Sequence, residues 1–140
     1  MVRKTALGNL KKELKKLTRR EVVAVATKID LAKEQELSIA VMNLISIEEH
    51  LAFTIAKTKK QEYIDVYNEI RKIRSKYMGK IVKNKTGEMW CVSKHLLATT
   101  MRLLETGIKY GKEGKKKEAM ELLNDASETY QIFWFLQNIK

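Results

Sequence analysis

The sequence predicts an all-α protein, an antiparallel up-and-down bundle of four to five helices, on three observations. Proline is absent and glycine occurs only six times in 140 residues, far less turn punctuation than a β-sandwich or doubly wound fold of that length uses. Leucine, lysine, glutamate and alanine are abundant, and these stand high in the helix-propensity ranking. Apolar residues recur at steps of three and four over long stretches. Hydrophobic residues make up 44% of the chain and charged residues 32%, a globular balance, and residues 1–140 read as one domain.

A first helix is expected over residues 5–28. Leu7, Leu10, Leu14 and Leu17 form one apolar stripe, and Lys11, Lys12, Lys15, Lys16, Arg19 and Arg20 cover the rest of its circumference. Asp30 is the expected N-cap of a second helix running to about Ala56. Its stripe passes through Leu37, Val41, Leu44, Leu51 and Ile55, widened by Ile45 and Phe53. Thr58 and Gln61 have the spacing of a capping box, which would start a third helix near Lys59. Tyr63, Val66, Tyr67, Ile70, Ile73, Tyr77 and Ile81 carry its rhythm, and Gly79 falls late within it. Residues 83–87, Lys-Asn-Lys-Thr-Gly, are the clearest loop. A fourth helix follows from about Glu88 to Lys112, with Trp90, Leu97, Met101, Leu104 and Ile108 as core candidates. Gly111 and Gly114 end it, and a fifth helix runs to the aromatic stretch that includes Tyr130, Phe133, Trp134 and Phe135. Short connections make sequential helices antiparallel neighbours.

Charge is the strongest functional signal. The net charge is +11, which favours polyanionic partners. Residues 1–20 hold eight Lys/Arg against one Glu, and residues 57–85 hold ten against three acids. Two basic helices side by side would track a phosphate backbone by displacing its counterions. The first contact set is Lys11, Lys12, Lys15, Lys16, Arg19 and Arg20; the second is Arg71, Arg74, Lys76 and Lys80. Lysine outnumbers arginine 22 to 6, which suits diffuse phosphate contact over bidentate base reading. The bland alternative for each basic run is a solvated helix face. The tyrosines of the third helix fall on its apolar stripe, so stacking platforms are not evident.

Catalytic and metal signals are weak. Cys91 and His95, four apart on a helix, share a face and supply half of a tetrahedral zinc site. Glu48, Glu49 and His50 on the second helix could supply the rest, but the Glu-x-x-His pattern of di-iron bundles is absent. The bland reading is a buried cysteine beside a hydrogen-bonded histidine. Gly107, Gly111 and Gly114 lack the spacing and the Lys-Ser/Thr of a phosphate loop. The Arg-to-His spacing of HEPN ribonucleases is missing before both His50 and His95. A lone cysteine forms no intrachain disulfide, no apolar run approaches the ~20 residues of a membrane span, and a cytoplasmic location is expected.

Gly107, Tyr110, Gly114, Ala119, Leu123 and Ala126 resemble the small-and-large pattern of a tetratricopeptide helical hairpin over about one sixth of the chain. The resemblance implies protein–protein interaction. Leu103 stands where that motif has tryptophan, and the closing proline is absent. Any tightly packed helix pair also places small residues where backbones approach. The reading is thus a basic bundle with no implied cofactor or metal, binding RNA or DNA, RNA ahead of DNA, or serving as an adaptor subunit of a ribonucleoprotein assembly. Behind it stand two alternatives. One is an interaction module using the C-terminal hairpin, with Trp134 and Phe135 docking a protein partner or a second copy. The other is a metal- or thiol-dependent enzyme centred on Cys91 and His95.

Overall fold

The computed structural model describes residues 31–139. Four helices follow in order: α1 (Leu31–Thr58), α2 (Gln61–Ile81), α3 (Met89–Lys112) and α4 (Lys116–Gln137). They correspond to the second to fifth helices expected from sequence. The first expected helix and the Asp30 cap lie outside the described residues.

Helix ends follow local chemistry, with one departure from expectation. Thr58 does not cap α2: it closes α1, where its Oγ1 donates to the Thr54 carbonyl. Lys60 is the α2 N-cap, without a side-chain cap bond. The reversal is made by Lys59, whose φ of 56° lies in the left-handed region, uncommon for a residue with a Cβ. The end of α3 is a Schellman motif. Gly114, at φ 78°, lets its own N–H reach the Gly111 carbonyl, while the Lys115 N–H reaches that of Tyr110.

The packing is up-down-up-down, as expected. α3 lies against α4, α2 against α1, and α1 against α3. Ser93 meets Gln137, Thr100 meets Thr129, and Gly107 meets Leu123, so α3 and α4 run antiparallel. The Gln137 carboxamide joins the ends of three elements. Its oxygen accepts the Lys83 and Asn84 N–H groups, and its nitrogen donates to Ser93 Oγ and the Phe133 carbonyl. Ser38 shares a hydrogen bond with Tyr130 Oη, and Lys83 lies 3.9 Å from Glu34. The start of α1, the end of α2, the start of α3 and the end of α4 therefore share one end of the bundle. The α1–α2 and α3–α4 turns share the other.

The core concentrates toward the first of these ends. Val41, Met42, Ile45, Met78, Ile81, Val82, Leu97 and Phe133 form it. Several expected core residues stay outside: Leu104 and Ile108 are exposed, and Phe53 is 71% exposed. On α3 Leu97 is buried as expected, joined by Ser93, Thr100 and Gly107, which face Ala119, Ala126, Phe133 and Gln137 of α4. Small side chains at seven-residue steps let these two backbones come close.

The expectation that no segment suits a membrane span needs correction for α1. By length and composition, Lys33–Thr58 is long and apolar enough to cross a membrane. Glu48 and Glu49 interrupt the apolar run, which hid it from a count of consecutive residues. Both glutamates pair with arginines of neighbouring helices, and Val41, Met42 and Ile45 supply the bundle core, a role that also calls for an apolar helix.

Candidate nucleic-acid interface

The second basic set sits on α2, and the structure divides it. Arg71, Lys76 and Lys80 are exposed. The Lys76 and Lys80 ammonium groups lie over the Tyr77 ring, 4.8 and 5.4 Å from its centroid, a cation–π arrangement that leaves their charge at the surface. Lys72, exposed on the same side, is 3.0 Å from Glu69. Among the described residues no carboxylate comes within ion-pair distance of Arg71, Lys76 or Lys80.

Arg74 does not belong to this surface. It is 3% exposed; its Nε donates to Glu48 Oε2 at 2.9 Å and its Nη2 to Glu48 Oε1 at 3.0 Å. This two-pronged pair neutralises both groups and orients them, so Arg74 has no free charge to offer a phosphate. A signal for it exists in the sequence. Arg74 falls between Ile70 and Met78 on the inward stripe of α2, and Glu48 falls between Ile45 and Leu51 on that of α1. Opposite charges on facing stripes of an antiparallel hairpin mark a buried ion pair.

The first basic set, Lys11, Lys12, Lys15, Lys16, Arg19 and Arg20, lies outside the described residues. Of the two expected docking aromatics, Trp134 turns toward the bundle itself. Trp134 packs against the core and meets Phe133 and Tyr130 edge-on, at centroid distances of 4.9 and 6.0 Å. Its Nε1 is buried without a hydrogen-bond partner. Phe135 is half-buried.

Cys91 and His95 line a shallow groove on α3 with Glu88 and Thr99. Cys91 is exposed, not buried. His95 also borders the cleft between α1 and α3, beside Glu48, Glu49, Lys94 and Ala98. The carboxylates there are committed: Glu49 accepts from Arg102 Nε and Nη2, and Arg102 also donates to Ser46 and Glu105. No group of three or more His, Cys, Asp or Glu able to hold a metal comes together among the described residues.

The exposed aromatics are what sequence reasoning missed. The apolar pattern puts Phe53 on the α1 stripe and Tyr63 on that of α2, yet both are exposed. Each lies near the α1–α2 turn, beyond the reach of the core at the opposite end. No family model, curated protein or solved structure matches the chain.

Proposed function

We propose that this chain is a non-catalytic basic bundle that binds RNA or DNA through the phosphate backbone, alone or as a subunit of a ribonucleoprotein assembly. The observation that carries this reading is a set of exposed cations on α2 that no carboxylate among the described residues pairs. Glu48 and Glu49 are consumed in ion pairs with Arg74 and Arg102. Arg71, Lys76 and Lys80 remain exposed without a carboxylate partner among the described residues. In a chain whose sequence carries a net charge of +11, such exposed cations can displace counterions from a polyanion.

The test is a fluorescence-anisotropy titration against short RNA and DNA at low and moderate salt. Binding should weaken steeply with salt. Arg71→Glu/Lys76→Glu/Lys80→Glu should lower the salt slope by about two to three, as expected for three lost phosphate contacts. An absence of binding at low salt would refute the proposal.

A second reading rests on the exposed Leu104, Ile108 and Met120 of the α3–α4 hairpin, which suit a protein partner or a second copy. Light scattering across a concentration series, with native chain and Ile108→Glu, checks the second-copy form.

A further inference from the structure

We infer that the end of the bundle carrying both helical turns is a binding pole for single-stranded nucleic acid, with Phe53 as its stacking platform. This inference rests on the proposed nucleic-acid function and adds to the α2 cations a second contact region, at the end of the bundle away from Lys76 and Lys80, together with the ligand class.

The pole is a product of the topology. Residues 57–62 and 109–118 are separated by almost fifty positions in sequence, yet both turns stand at the same end. From the Glu49–Arg102 contact, α1 runs on to Thr58 and α3 to Lys112. At 1.5 Å per residue these stretches rise roughly 14 and 15 Å, so the two turns reach nearly equal height.

Lys57, Lys59 and Lys60 are exposed at the α1–α2 turn, and Lys109, Lys112, Lys116 and Lys117 at the α3–α4 turn. None of these has a carboxylate within ion-pair distance among the described residues; Lys115 alone of the turn lysines does, with Glu113 at 3.4 Å. Counting Glu62, Glu113 and Glu118, the two turns carry five excess positive charges. Potentials from two clusters at one end add, and they do so wherever the intervening surface is narrower than a few Debye lengths.

Aromatic exposure at the same end chooses the ligand class. Phe53 is the most exposed large hydrophobic residue described, at 71%, and lies one helical turn before Lys57 on the same face. Tyr63 is exposed in the first turn of α2. A duplex hides the faces of its bases within the stack, whereas unpaired bases can stack on such a ring. Lysines beside the ring hold the backbone of the same strand.

Anisotropy titrations with a labelled 20-nucleotide single-stranded RNA, the matching duplex, and anionic phospholipid vesicles test this. The variants are Lys59→Glu/Lys60→Glu/Lys116→Glu/Lys117→Glu, Phe53→Ala and Phe53→Trp, each checked for helix content by circular dichroism. The native chain should bind the single strand more tightly than the duplex. The four-lysine variant should weaken binding at least about tenfold and lower the salt slope by about three. Phe53→Ala should weaken it about fivefold or more, with Phe53→Trp restoring it; this position is exposed, so the fold survives the change. Native binding that the lysine and Phe53 variants leave intact, while the Arg71/Lys76/Lys80 variant abolishes it, would overturn the pole and leave the proposed function standing. Equal affinity for duplex would overturn the single-strand assignment. Failure of the native chain to bind any nucleic acid, with or without binding to vesicles, would overturn both.

Discussion

At the scale of single residues, the decisive pair is Arg74 and Glu48. Two charges taken from water gain little net stability even when well paired, but either one left alone is costly. Glu48→Ala should therefore destabilise the chain by about 3–5 kcal/mol in urea denaturation. Glu48→Leu combined with Arg74→Met should recover most of that loss, because the pair is then replaced by apolar volume. Equal destabilisation in the double variant would show that the pair contributes more than the packing it displaces. The same logic removes Arg74 from any phosphate contact: its donors already face a carboxylate inside the bundle.

At the scale of helices, glycine reports how closely neighbours approach. Gly79 on α2 has nothing within 4 Å of an added Cβ, whereas at Gly107 on α3 that atom would stand 3.0 Å from Leu123 Cγ. Gly79→Ala should stabilise the chain by about 0.5–1 kcal/mol, since alanine forms helix more readily and restricts the unfolded chain. Gly107→Ala should destabilise it by about 1–3 kcal/mol, because Leu123 and Leu122 must give way to the added methyl in a tightly packed seam. Thermal melts of the two variants should move in opposite directions. The small residues that resemble a tetratricopeptide hairpin are explained by this approach of α3 to α4, with Gly107 facing Leu123 and Gly111 facing Ala119.

Across the whole molecule, stability is unevenly distributed. Buried apolar side chains gather where α1 starts, α2 ends, α3 starts and α4 ends, and the Gln137 carboxamide knits that end together. Toward the turns, Phe53, Tyr63, Val66, Ile108 and Met120 are exposed. Amide hydrogen exchange should be slowest around residues 41–45, 78–81 and 133, and faster by one or more decades over 53–67, which opens without disrupting the core. Uniform protection along α1 and α2 would contradict this picture. The exposed Phe53 and Tyr63 thus stand at the end away from the core.

Much of the fold is legible in the sequence alone. Helix class, the number of helices over residues 31–139, the 83–87 loop and the Gly114 stop all follow from local chemistry, because propensity, period-3.6 patterning and left-handed glycine act over a few residues. The candidate site was less legible. Arg71, Lys76 and Lys80 stayed on the surface, since the positions facing away from α1 can be counted along a single helix. Arg74 looked like their equal in composition and was claimed by Glu48, a partner 26 residues away. Phe53, expected on the apolar stripe of its helix, faces solvent, and Trp134 packs against the core. The sequence by itself determined the helices and the sign of the molecule's charge. Only the tertiary structure decided which charges cancel and which two turns stand together, because pairing across helices depends on where the core forms and which faces it uses.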